Sequence, residues 1–564
     1  MNPFKFFKEL LRRSPLFRVI VLLLFVALVF FLVYRFTDES KGAPVIESVN
    51  PMVAVLGDVI TIRGQNFGKS QSSSYVKIAD SRLTASTIER WSDTEIKLKL
   101  PPNVADGLLV VVTDEGESLP SFFANRENIP TVVYADAETD YPVIEEISPE
   151  SATVGQLVTI TGKNFGASRS SSKVFFTANR GVKTAALSEE DLIPSEEDFI
   201  AVNENEFDYN SWSDTEIRVR VPDGADSGSL YVATEKGESI AVNIDVTFPA
   251  GKKDYTSKKK YIIQTKTLVS VPKRQEATLT LYSPRPAISS SQPFVQLSDM
   301  TSTPLIADDS KALIYQMSLL PTQEKNFSQN YVITVYGVRA NIKPQSITRY
   351  VNTRRDLYTT FTCADSLIPC DDEKIIELKN EIVGKEKNPY RQAKALYDYI
   401  CENFKLTSGR EQNKSVIDFI ASKCGDAYDF TLLFTALCRS CGIPSVPVSG
   451  LLIDSNSSVT IHWWQEIYFE NYGFFPVDLA LACGQKFSPF NSLDESPREF
   501  YFGNLDSQHI AFSRGWNQIK SSISSAKTYG LTRTYALQSV WEESNAADAS
   551  YTASWPKPRL VGIE

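Results

Sequence analysis

The chain has 564 residues, too many for one hydrophobic core and suited to about three to five domains. With 42% hydrophobic and 22% charged residues it has the composition of a globular protein, which excludes wholesale disorder. The net charge is −10, and residues 1–37 hold six basic residues against Glu9 alone, so the acid lies downstream; this argues against nucleic acid as a partner.

Val19 to Tyr34, VIVLLLFVALVFFLVY, is unbroken apolar sequence. Extended to about 20 residues it reaches the length of a bilayer span, with Arg18 and Arg35 able to snorkel at its ends. Five basic residues precede it, so residues 1–18 are expected to stay cytoplasmic, 19–36 to form a transmembrane signal anchor, and the bulk to be extracytoplasmic at the cell membrane. A cleavable signal peptide is the competing reading; no small-x-small site follows Tyr34, which favours an uncleaved anchor.

Beyond the anchor the chain repeats itself. Pro51, Gly57, Gly64 and Asn66-Phe67-Gly68 recur 98 residues later as Pro149, Gly155, Gly162 and Asn164-Phe165-Gly166. WSDTEI at Trp91 and GES at Gly116 recur 121 residues later, so 23 residues are inserted in the second copy, in the acidic segment between about Ala185 and Tyr209. Each copy alternates short strand-like runs with Gly, Pro, Asn and Ser clusters, the pattern of an antiparallel sandwich. These motifs resemble the immunoglobulin-like IPT/TIG domain, here at 43–125 and 141–249. The resemblance implies spacing, or protein or glycan binding, with spacing favoured. The insertion lacks the D-x-D-x-D-G spacing of a calcium loop and is expected to be a solvated loop.

Residues 252–352 contain further strand-like runs such as KKYIIQTKTLVSVP and NYVITVYGVRA, expected to form a third β-sandwich. Helical character begins at Asp371. Asn388-Pro389 reads as N-cap and N1, with Ala393, Leu396, Tyr397, Ile400 and Phe404 on one face, and a short helix opens at Ser415.

After Cys424 the apolar positions Ala427, Phe430, Thr431, Phe434, Leu437, Cys438 and Cys441 follow a helical period, which places Cys424 at a helix N-terminus where a thiolate is favoured. Val459 to Phe469 alternates as a strand with His462, Trp464, Glu466 and Tyr468 on one face. Phe474 to Leu479 reads as the return strand carrying Asp478. Thiol, imidazole and carboxylate in that order suit cysteine acyl transfer: Cys424 as nucleophile, His462 as base, Asp478 as its orienting group.

KCGDAYDF, LCRSCGIPSVPVSG, HWWQEIY and GFFPVD together resemble the core of transglutaminase-like (papain-like) cysteine enzymes, an α+β fold expected at 371–515, preceded by the sandwiches and followed by a C-terminal β tail at 516–564. Two departures stand out: many members carry Gly two residues before the cysteine, where this chain has Ser422, and Phe475 stands where Trp is frequent. The resemblance implies attack on a protein or peptide amide, a thioester, and resolution by water or amine. The backbone N–H of Cys424 is expected as oxyanion donor and Trp463 or Trp464 as the wall of the site. No cofactor is expected. The alternative is a non-catalytic surface scaffold with an inactive transglutaminase-like fold.

Seven cysteines leave at least one unpaired. Cys363 with Cys370, or Cys438 with Cys441, are near enough in sequence to pair. A zinc site at Cys438 and Cys441 is disfavoured, because no second C-x-x-C exists and only His462 and His509 supply imidazole; no metal is expected. His509 is expected to be structural.

Overall fold

The computed structural model describes residues 42–125, 140–180, 198–271, 277–305, 311–407, 413–520, 527–545 and 551–564, apart from residues 56, 80, 102, 103 and 106. Among the described residues no helix is long and apolar enough to cross a membrane; the span expected at 19–36 lies outside them. The chain divides into two units, Met1–Glu138 and Thr139–Glu564.

The first unit is a sandwich of two sheets. One carries Val45–Asn50, Val59–Gln65, Glu95–Lys99 and Ile88–Trp91; the other is built on Ser121–Asn125, Gly107–Thr113 and Tyr75–Ile78. Ile60, Ile62, Phe67, Val76, Ile96, Leu98, Leu109 and Phe123 fill the space between them. The repeated motifs have a shared physical cause. The Trp91 indole donates to the Phe67 carbonyl at 2.9 Å, and Asp93 accepts from the Gly68 N–H at 3.0 Å, so W-S-D-T ties down N-F-G. Gly64 has to be glycine because a Cβ there would lie 1.9 Å from the Val45 carbonyl oxygen.

The second unit opens with the same arrangement. Trp212 donates to Phe165 O at 3.0 Å, Asp214 accepts from Gly166 N–H at 2.9 Å, and a Cβ on Gly162 would meet Val143 O at 1.9 Å. Next come two long strands, β1 (Gly251–Ser270) and β2 (Glu324–Ile342), paired antiparallel along almost their whole length. The C-terminal segment is not a separate tail. Thr552–Ser554 and Arg559–Ile563 pair with β1, and Glu542–Ser544 pairs with Ala277–Pro284, so residues about 260 to 300 positions apart complete one sandwich. Trp541 and Tyr535, both nearly fully buried, anchor that return.

The α+β portion contains helices α1 (Asp356–Thr362), α2 (Glu373–Val383), α3 (Pro389–Asn403), α4 (Val416–Ser422), α5 (Ala427–Ser440), α6 (Leu479–Ala482) and α7 (Pro497–Phe500). Its sheet has the order β5 (Gly473–Val477), β4 (Val459–Phe469), β3 (Ser445–Ile453), β6 (His509–Arg514). Asn388 caps α3 as expected, accepting from Arg391 N–H at 3.1 Å. Helix α5 is buried from Ala427 to Arg439, so it is enclosed on every side and forms the centre of the domain. Trp463, Ile467 and Phe469 of β4 pack with α5 residues, while alternation turns His462, Trp464, Glu466 and Tyr468 to the other face.

The end of the acidic insertion departs from the solvated loop expected. Residues 181–197 lie outside the described residues, but Glu206 and Asp208, at its end, are buried. Glu206 pairs with Arg514, which also holds Glu466 at 2.6 Å. Lys253 pairs with Asp223 and donates to Phe474 O at 2.6 Å; Asp223 in turn accepts from Phe474 N–H at 3.1 Å. The second sandwich is therefore docked onto the β4–β5 hairpin through buried charge, more than a spacer needs.

Candidate functional site

Cys424 does not stand at the start of a helix. It lies in a two-residue strand, Cys424–Gly425, paired parallel with Lys405–Leu406; Asp426 is the N-cap and Ala427 the first residue of α5. The physical reason is the capping box. Asp429 N–H donates to Asp426 at 3.2 Å and Asp426 N–H to Asp429 at 3.1 Å, which fixes the helix start three residues later than the apolar period alone suggests. Cys424 is exposed, and its N–H already donates to Ser422 Oγ at 3.3 Å. Its sulfur makes no hydrogen bond to His462.

His462 and Asp478 do come together. Nε2 of His462 lies 2.6 Å from Asp478 Oδ2, and both side chains are fully buried. The other ring nitrogen, Nδ1, accepts from the Gln485 amide at 3.2 Å, which leaves the Nε2 proton for Asp478. Asp478 follows β5 as the N-cap of α6, where Oδ1 accepts from Leu481 N–H at 2.9 Å.

His509, on β6, is the residue whose weight the sequence understated. Its Nε2 lies 3.1 Å from the same Asp478 oxygen, and its Nδ1 lies 2.9 Å from Asp506, which also accepts from Tyr501 at 2.9 Å. Burial disfavours charge on His509, yet Asp506 and Asp478 outweigh it and push its pKa up to about 9, so the ring is an imidazolium donating at both ends. Burial also raises Asp478, but the two histidines pull it well below the usual carboxylate range. The chain of polar groups runs Asp506, His509, Asp478, His462, Gln485, buried at its centre and half-buried at its two ends. His462, Asp478 and His509 offer ligand atoms within 4.8 Å of one another, but hydrogen bonds already join these atoms, which fits proton sharing better than a cation.

Gly450 of β3 pairs with His462 on one side and Ala511 on the other. A Cβ there would sit 1.9 Å from Ile510 O, so Gly450→Ala is expected to cost at least about 2 kcal/mol in thermal unfolding. Trp464 stacks at 6.1 Å on His462 and meets His509 edge-on at 5.1 Å. Trp463, on the opposite face, packs edge-on against Tyr428 of α5 at 5.5 Å, and its buried indole N–H has no hydrogen-bond partner among the described residues.

A residue that sequence reasoning missed lies over the start of α5. Arg533, from the C-terminal segment, adopts φ +53° and reaches Asp426 at 2.6 Å, Asp429 at 2.7 Å and Asn413 O at 2.9 Å, with its guanidinium 4.4 Å above the Tyr428 ring. Nothing local in the sequence marks it, since the contact spans more than one hundred residues.

The fold and the buried His–Asp pair define a transglutaminase-like α+β domain carried behind immunoglobulin-like sandwiches. Residues 376–479 match the transglutaminase-like superfamily, and 44–124 and 142–185 match the IPT/TIG domain. A cyclomaltodextrin glucanotransferase of Paenibacillus macerans is 32% identical over 130 residues, which is 23% of this chain and only 17% of that enzyme. A candidate cysteine protease from Cytophaga hutchinsonii is 15% identical with a TM-score of 0.36, covering 55% of this chain and 92% of that one. The periplasmic domain of TgpA from Pseudomonas aeruginosa is 13% identical with a TM-score of 0.24, covering 40% of this chain and 87% of that one. Neither structural likeness bears on activity.

Proposed function

We propose that this chain is a membrane-held surface protein whose transglutaminase-like domain serves as a binding scaffold and lacks a working nucleophile. The observation that carries this reading is that α5 begins at Ala427: the position with free N–H groups and the positive dipole end holds a methyl group, not a thiol. The glycine register supports it. Gly425 stands two residues before Ala427, as the family resemblance expects of the residue two before a nucleophile, and a Cβ on Gly425 would strike Phe419 and Asp429 at 2.7 Å or less. His462 has both nitrogens occupied, and Arg533 covers the helix start.

The apolar run at 19–36 supports the membrane attachment. Partner binding falls to the IPT/TIG domains and the scaffold they carry. Protein and glycan are both in scope, and the likeness to cyclomaltodextrin glucanotransferases makes a cyclomaltodextrin the first glycan to titrate.

The test is turnover. Purified chain offered glutamine-containing peptides should release no ammonia and cleave no peptide bond, and Cys424→Ala should match wild type. Cys424 should alkylate no faster than Cys363, another exposed thiol. Turnover that Cys424→Ala abolishes would sink the proposal.

A further inference from the structure

The cysteine pairs suggested by sequence proximity do not face one another as sulfur partners. Cys363 Sγ points to Thr360 O at 3.1 Å and Cys370 Sγ to Thr362 O at 3.5 Å, while Cys438 is buried in the domain core. A different pair meets across the fold. Cys483 Sγ donates to Cys401 Sγ at 3.1 Å, although 82 residues separate them, and both residues are partly exposed. Cys401 lies in the last turn of α3 and Cys483 is the C-cap of α6. Beside them Arg498 is anchored to Asp398 at 3.1 Å and Glu402 at 2.7 Å, and its charge only partly offsets the hydrogen bond to Cys401 and the burial that raise the Cys483 pKa.

We propose that Cys401 and Cys483 form a disulfide site that clamps α6 to α3. The required change is small: the sulfurs have to approach by about 1 Å to reach bonding distance. A Cys401 thiolate attacks one sulfur of an external disulfide, such as oxidised glutathione or the disulfide form of a dithiol oxidoreductase, and expels a thiol. The Cys483 thiolate then attacks the Cys401 sulfur and expels the second thiol. The chain loses two electrons and two protons, and the external disulfide becomes two thiols.

The site matters for the chain of polar groups. Asp478 caps the helix that Cys483 ends, and Gln485, two residues on, donates to His462. Bridging Cys483 to α3 therefore fixes both partners of His462 at once.

The experiment uses the full chain, treated with oxidised glutathione or with dithiothreitol, then unfolded, alkylated and mapped as non-reduced peptides. After oxidation Cys401 and Cys483 should escape alkylation together and appear as one linked peptide pair. Amide exchange over residues 479–485 should slow, and the apparent Tm should rise by about 3 °C or more. Cys401→Ser and Cys483→Ser should each remove these changes while leaving the reduced Tm close to wild type. Both thiols alkylating fully after oxidation, or each linking to some other cysteine, would overturn the proposal. Such a failure leaves the reading of Ala427 untouched, because that rests on the start of α5 and not on either sulfur.

Discussion

Arg514→Ala is expected to destabilise the second unit by about 3–5 kcal/mol, the cost of stranding buried carboxylates when their shared cation is removed. Arg514 is nine-tenths buried and joins Glu206, from the second sandwich, to Glu466 on β4. Burial already raises the Glu206 pKa, with Arg514 the largest opposing influence; without it Glu206 rises further. A carboxyl whose folded pKa is raised weakens folding as pH rises through that value. The deficit of Arg514→Ala should therefore be largest near neutral pH and shrink toward pH 4, and urea unfolding at several pH values reads it directly. Arg514→Ala together with Glu206→Gln should recover part of the loss. A uniform deficit across pH would mean the guanidinium acts by packing and not by charge.

Asp478→Ala should be comparably severe, at about 3–5 kcal/mol, because one fully buried carboxylate accepts from His462, His509 and Leu481 N–H together. Asp478→Asn keeps the cap on α6 and should cost less. The diagnostic readout is His509. In the wild type its pKa is raised to about 9 from an unfolded value near 6.5, so its contribution to stability is complete below about pH 6.5 and is lost as pH rises through about 9. Asp478 and Asp506 have the opposite sign: both are lowered, so their contribution is present above about pH 4 and is lost as pH falls. The contribution of this cluster to stability should thus be flat from about pH 4 to 6.5 and decline toward pH 9. In Asp478→Ala the His509 titration, followed by NMR, should fall well below 9 and the alkaline decline should move down with it. An unchanged His509 titration would show that Asp506 alone holds the proton.

Much of the architecture was legible in residue order. The repeat from Pro44 to Gly68 recurs at Pro142 to Gly166, and the structure supplies the cause in one shared set of contacts, Trp to the N-F-G carbonyl and Asp to the following glycine. Strand alternation put His462, Trp464, Glu466 and Tyr468 on one face, and the return strand brought Asp478 beside His462, because a tight hairpin fixes register locally. The error at Cys424 was equally local. A period of 3.6 residues says which side of a helix is apolar but not where the helix begins, and three residues separate the start expected at Cys424 from the observed first residue, Ala427.

What periodicity, turn chemistry and motif spacing determine are interactions within a few dozen residues: the sandwiches, α3 with its cap, the His462–Asp478 pair. What only tertiary structure decided are the contacts made across 82 residues or more. They include the C-terminal strands closing the sandwich of β1, Arg533 over the start of α5, Glu206 under Arg514, and Cys401 against Cys483. These depend on how finished elements pack, and a side chain that reaches a partner on another element leaves no periodic trace in its own segment. A buried charge looks the same in sequence as a solvated one until the fold supplies its counter-ion.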